Sequence, residues 1–178
     1  HSRNALIWSQ RVDGDYWVRH KIPAGLRSEL TTADARILQR LLADGKKPIE
    51  KPWVTVRDSV GDLPRPVEHF ESVRNHRLHP GARTYAGHTG SLMDEPAKAL
   101  KAGCHGVPGG ENALVQESGE VRYFTVREMI RLQGLPDNFF LDATWASATK
   151  QLGNAVPVQM AQAFARHIRG YLAQSPRR

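Results

Sequence analysis

A chain of 178 residues with 40% hydrophobic side chains carries enough apolar material for one or two small cores, which excludes a disordered composition. Lys and Arg number 25 against 18 Asp and Glu, and the net charge of +7 favours a polyanionic partner, because neutralising a phosphate releases its condensed counterions. One cysteine excludes an internal disulfide and a thiolate-rich zinc site, and neither an apolar run of membrane-spanning length nor a secretory leader pattern is present. The expectation is an intracellular, metal-free chain with no membrane association, and His1 in place of an initiator Met suggests a trimmed tag or an excised fragment.

In chain order, ALIWSQ at 5–10 reads as a short strand bounded by Asp13 and Gly14. A helix is predicted over about 32–44, capped by Thr31 or Thr32, with Ile37, Leu38, Leu41 and Leu42 as its apolar stripe and Gly45 as its stop. Residues 55–64 repeat the idea in miniature: Thr55 and Asp58 stand at capping-box spacing and Pro64 closes the segment. From 65 to 112 the texture turns to Pro, Gly, His and Arg, with 95–103 as the one plausible strand, and a loop-rich region of that length points to function. ALVQE and EVRYFT then flank Ser118 and Gly119, the signal of a two-residue hairpin.

The last third is predicted helical. One helix opens on the TxxE box of Thr125 and Glu128, closes at Gly134 before Pro136, and buries Val126, Met129, Ile130 and Leu132. Another runs over about 157–173 from Pro157, with Met160, Phe164, Ile168 and Leu172 along one stripe and Ala161 and Ala165 beside it. Between them Gly153 and Asn154 interrupt the helical pattern, joining a permissive backbone to an amide that both donates and accepts. The fold class expected is α+β.

Two blocks carry a family resemblance. Arg122, Phe124, Thr125, Arg127, Glu128, Arg131, Leu132, Gln133, Pro136 and Asp137 resemble the ninth conserved block of the DNA cytosine-5 methyltransferases. Gln151, Gly153, Asn154, Ala155, Val156 and Pro157 resemble the tenth, in the same order and at the short spacing that family shows. The resemblance implies a loop-rich target-recognition region over 1–121 and, over 122–178, helices that complete a Rossmann-like methyltransferase domain.

It further implies that Gly153, Asn154 and Ala155 line the site of S-adenosylmethionine, and that Arg127, Glu128, Arg131 and Gln133 organise the fold and do not read bases. Double-stranded DNA is the implied substrate. Arg74, Arg77 and Arg83 suit phosphates or guanine edges, His76, His79 and His88 suit weak donation, and Tyr85 suits stacking. Lys98 and Lys101, with Gly103, Gly109 and Gly110, suit a close approach to the DNA backbone, although Ala99 stands where the family often has Thr.

The family nucleophile is a cysteine thiolate in a Pro-Cys context ahead of the recognition region; Cys104 follows Gly103 within it and does not fit that role. The FxGxG cofactor loop, the Glu-Asn-Val triplet and the QxRxR segment have no counterpart here either. The chain is therefore expected to hold no catalytic residue of its own, to be inactive alone, and to need a catalytic subunit or N-terminal domain. A non-catalytic DNA-binding module that keeps the closing blocks for folding is the alternative. The setting implied is cytoplasmic and nucleoid-associated, in a prokaryote or a phage.

Overall fold

The computed structural model describes residues 1–69, 71, 73–84, 86–87, 89–102 and 110–174. Helix α1 (Arg3–Arg11) opens the chain, followed by α2 (Asp15–Arg19), a 3-10 turn at Ala24–Leu26, α3 (Thr32–Asp44) and α4 (Val56–Val60). The predicted strand at 5–10 is thus a helix. Ser2 caps it by accepting the Ala5 N–H at 3.1 Å, and Leu6, Ile7 and Gln10 are buried at helical, not alternating, spacing. Leu6 then closes a small cluster with Tyr16 and Trp17, against which Ile22 packs. A short apolar run suits either element, and that contact decides it.

Helix α3 has the predicted bounds, Thr31 cap and Gly45 stop. Its stripe is narrower than expected: Leu41 is buried, but Leu42 is exposed. In its first turn Asp34 is buried and accepts from Arg3 Nε at 2.8 Å and from Thr31 Oγ1 at 2.6 Å.

Three short strands form one sheet, β1 (Ser91–Leu92), β2 (Ala113–Val115) and β3 (Val121–Tyr123), in that order. β1 runs parallel to β2, with Ser91 opposite Leu114, and β2 pairs antiparallel with β3, with Leu114 opposite Arg122. The predicted strand at 95–103 does not form in its described part. Pro96 has no N–H, the Lys98 N–H goes to Ser91 Oγ and the Lys101 N–H to Asn112 Oδ1, so side chains take the donors a ladder would need. The hairpin is present with three loop residues in place of two. Gln116 N bonds Glu120 O, Gly119 N bonds Gln116 O, and Gly119 holds φ +81°, where a Cβ would be strained.

Helix α5 (Val126–Leu132) follows at once, then α6 (Trp145–Asn154) and α7 (Val158–Gln174). The main core gathers Val56 and Val60 of α4, Leu114, Phe124, Val126, Met129 and Ile130, with Ala148 and Leu152 of α6. It therefore draws on both sides of residue 121. Helix α7 is outside it, and Met160, Phe164, Ile168 and Leu172 are 51, 62, 57 and 64% exposed. The chain is a mixed α+β unit with a small sheet.

The capping box at α4 has both of its bonds, Asp58 N to Thr55 Oγ1 and Thr55 N to Asp58 Oδ2. Burial pushes the Asp58 carboxyl up, but the bonds from Thr55, with His20 and Arg19 alongside, outweigh it and hold the group below the ordinary range. A carboxyl whose folded value is depressed stabilises the fold above its unfolded value and loses that contribution as pH falls through the folded one. The urea midpoint should therefore stay level from neutrality to about pH 5 and drop below about pH 4. Asp58→Asn should flatten that drop; an unchanged profile would remove Asp58 from the explanation.

Candidate functional site

The block at 122–133 is turned inward. Thr125 accepts the Glu128 N–H, Glu128 accepts the Thr125 N–H at 2.8 Å, and Arg122 donates to both Glu128 oxygens at 2.7 and 2.5 Å. Glu128 is 1% exposed and Arg127 2%. Arg127 donates through Nε to Arg74 O at 3.0 Å and through Nη1 to Phe139 O at 2.9 Å, and its own N–H goes to Asn75 O at 2.7 Å. Arg131 forks onto both oxygens of Asp137 at 2.7 Å and reaches Asp62 at 2.5 Å. The Arg131 hydrogen bonds hold the Asp137 carboxyl below its ordinary range.

The same helix pins the loop-rich region. Asn75, at φ +66°, exchanges both side-chain bonds with the main chain of Leu141 at 2.9 Å. His76 is 1% exposed: Nε2 lies 2.7 Å from Pro64 O, which only accepts, so Nε2 carries the proton and Nδ1 accepts the Thr125 hydroxyl at 2.8 Å. The reading of His76 as a donor to DNA is corrected, since its ring is consumed within the fold. His79 is half-buried and stacks on Trp145 at 4.1 Å and 7°, with Tyr123 alongside, and burial lowers its pKa. It forms a wall of a cleft of about 490 Å³ that Arg77, Glu68 and Trp145 also line.

The cations that sequence assigned to DNA lie outward. Arg74, Arg77, Arg83, Lys98 and Lys101 are all exposed. Arg74 sets its guanidinium 3.3 Å over the Phe140 ring, Arg77 donates to Glu68 O at 2.5 Å, Lys98 to Thr89 Oγ1 at 2.8 Å, and Lys101 pairs with Glu111 at 2.9 Å. Such exposed contacts are worth about 0–1 kcal/mol and are readily exchanged for a phosphate. Tyr85, His88, Gly103, Cys104, His105 and Gly109 lie outside the described residues, and Gly110 opens a 3-10 turn at Gly110–Asn112.

At the second block, Gly153 and Asn154 end α6 and do not interrupt a helix. Gln133 holds the turn from beneath, donating through Nε2 to Leu152 O at 2.5 Å while its carbonyl accepts the Val158 N–H at 2.9 Å. Gly153 faces the Lys101–Ala102 backbone, and a Cβ on it would stand 2.4 Å from Ala102 N. Asn154, Ala155 and Val156 are exposed. The turn is thus fixed at both ends and open at its centre, and the two blocks meet through Gln133 and through the packing of Leu152 with Met129 and Ile130. Asn75, His76, Gln133's bonding and Asn112, which bonds Lys101, went unforeseen; the one local signal was an Asn beside a polar His, a type that tolerates positive φ. No group of three or more His, Cys, Asp or Glu fit for a metal occurs among the described residues, and no helix there is long and apolar enough to cross a membrane.

Comparison with known proteins bears on this arrangement. A family model described as C-5 cytosine-specific DNA methylase matches residues 30–170, most of the chain. The chain belongs to this family. Among curated relatives, it is 31% identical over 149 residues to the type II methyltransferase M.MthTI of Methanothermobacter thermautotrophicus, covering 69% of this chain and 45% of that one. It is 27% identical over 143 residues to the type II methyltransferase M.HgiDI of Herpetosiphon aurantiacus, covering 79% and 41%. Against the type II methyltransferase M.AplI of Arthrospira platensis it is 35% identical over 89 residues, 48% of this chain and 25% of that one. The chain therefore spans less than half the length of these curated relatives.

Proposed function

We propose that the chain is the DNA-recognition portion of a DNA cytosine-5 methyltransferase, acting on a cytosine extruded from duplex DNA with S-adenosylmethionine as methyl donor. The observation that carries this reading is the exposure of Asn154, Ala155 and Val156 and, along the α7 that follows them, of Met160, Phe164, Ile168 and Leu172. The four large side chains on α7, already a little under half covered, would gain roughly 1 to 2 kcal/mol each on complete burial. In this reading the cover is the catalytic part of the enzyme, as a separate subunit or an N-terminal domain. That part carries the nucleophile and most of the cofactor site, and the present chain alone is inactive.

The donor set fits a cofactor wall in part. Asn154 and Ala155 are exposed on a fixed turn, and the Asn154 amide both donates and accepts, whereas Gly153 is turned to Ala102 and supports the turn from behind. S-adenosylmethionine, when bound, supplies the methyl group. Residues 1–121 present Arg74, Arg77, Arg83, Lys98 and Lys101 to DNA, and 122–178 joins them to the catalytic part, a division of tasks across one shared core. Cytoplasmic DNA of a prokaryote or a phage is the setting proposed.

Labelled methyl transfer to duplex DNA, with a separately produced catalytic part and S-adenosylmethionine, tests the reading. Phe164→Glu together with Ile168→Glu should lower transfer and co-purification at least about tenfold, while the chain's own stability stays within about 0.5 kcal/mol because both residues are exposed. The second reading, a DNA-binding module that keeps these blocks for folding, draws on the inward use of Arg127, Glu128 and Gln133. Duplex binding without any rescued transfer, and a monodisperse, well-folded isolated chain, would decide for it.

A further inference from the structure

The stretch carrying Lys98 and Lys101 has no ladder of its own, yet its main chain is fixed. The Lys98 N–H is held by Ser91 Oγ at 3.0 Å, and Ser91 is 1% exposed. The Lys101 N–H is held by Asn112 Oδ1 and the Lys101 carbonyl by Asn112 Nδ2, both at 2.9 Å. Asn112 is 0% exposed, and its own carbonyl accepts the Phe124 N–H at 2.9 Å, where β3 passes into the cap of α5. Against the main chain of Lys101 and Ala102 stands Gly153, without room for a Cβ. Two buried side chains and one bare glycine therefore set where two exposed lysines emerge.

We infer that Asn112 is a positioning residue for DNA: it carries no charge, yet it determines whether Lys98 and Lys101 meet the phosphate backbone together. The inference rests on the reading of those lysines as DNA contacts. A side-chain amide suits the task because its separate oxygen and nitrogen reach the N–H and the C=O of one residue at once, whereas a carboxylate has no donor and a hydroxyl has a single atom for both bonds. Ser91 performs the simpler half at Lys98. Gly153 makes the placement depend on the end of α6, so that the lysines and the Asn154–Val156 turn keep a constant relation.

The test is the salt dependence of binding by the full chain, measured on a duplex pool enriched by the wild-type chain from randomised DNA. Each lysine on a phosphate contributes about one to the slope of log K against log salt, so Lys98→Ala with Lys101→Ala should lower the slope by about two. Asn112→Ala, which removes no charge, should lower it by one to two and weaken binding about tenfold or more. In the double-lysine background it should add nothing further. Asn112→Asp, which keeps the acceptor and loses the donor, and Gly153→Ala, which displaces Ala102, should act in the same direction should Asn112→Ala fold poorly.

Variants with wild-type melting and an unchanged slope, or an Asn112 effect that adds fully to the lysine pair, would overturn the inference. Lysine variants that bind with the wild-type slope would instead overturn the DNA reading of Lys98 and Lys101, whatever Asn112 does.

Discussion

Asp94→Ala should destabilise the chain by about 3 to 5 kcal/mol, a large part of the 5–15 kcal/mol on which a domain of this size stands. Asp94 is 3% exposed, accepts from Arg57 Nε at 2.6 Å and from the Tyr16 hydroxyl at 2.9 Å, and presents its main-chain oxygen to Gln10 Nε2 at 2.8 Å. The carboxylate thus ties α2 and α4 to the strand region, and the main-chain oxygen of the same residue ties α1. Burial alone would lower the Arg57 pKa, but Asp94 and Glu117 outweigh it and the net shift is upward; the Tyr16 hydroxyl is raised, chiefly by burial. Removing the carboxylate leaves a guanidinium that is 9% exposed with the partly exposed Glu117 as its remaining acidic partner among the described residues. Replacing both partners, as in Asp94→Leu with Arg57→Met, should restore much of the loss, because the cost lies in the uncompensated charge and not in the missing pair. Urea denaturation of the three chains measures it. A single variant within 1 kcal/mol of wild type would show that solvent reaches Arg57.

The second large effect belongs to Glu128. Glu128→Ala removes the partner of Arg122, whose side chain is 11% exposed, and with it one bond of the α5 capping box. The uncompensated guanidinium costs about 3 to 5 kcal/mol, and the lost cap adds about 0.5 to 2. Glu128→Gln keeps an acceptor for the Thr125 N–H and should lose less. The matching box at α4 gives an internal scale: Asp58 is 18% exposed on its side chain, so Asp58→Ala should fall well short of Glu128→Ala. Equal losses at the two boxes would mean that capping, not the buried ion pair, sets the effect.

Where the chemistry is local, the sequence was legible. Thr55 with Asp58, and Thr125 with Glu128, satisfy their own helix ends across three residues, and Gly45 stops α3 as its position suggested. Gly119 marked the hairpin, though not that its loop would take three residues. The misreadings fall where distant partners decide. ALIWSQ is apolar enough for a strand until Leu6 meets Tyr16 and Trp17. Residues 95–102 read as a strand in sequence, but Ser91 and Asn112 take the N–H groups of Lys98 and Lys101 that a sheet would have used.

The candidate site divides in the same way. The turn at 153–157 stood out through its Gly-Asn pair and its likeness to a known block, yet nothing near it in sequence announced Gln133 beneath it or Lys101–Ala102 against it. His76 shows the converse. A histidine among arginines invites a surface reading, and only the fold brings Thr125 and Pro64 to its two nitrogens.

Arg127 grips Arg74 and Phe139 by their carbonyl oxygens, and Asn112 grips Lys101 by its amide and carbonyl. Bonds of this kind are indifferent to what hangs from the Cα they hold. The route of the polypeptide and the chemistry it displays are therefore inherited separately: positions 74 and 101 are free to change their side chains while the chain keeps its course. In the proposed DNA-recognition role, a scaffold built this way would acquire a new preference among DNA sequences by surface substitution alone, without a new fold to be found first.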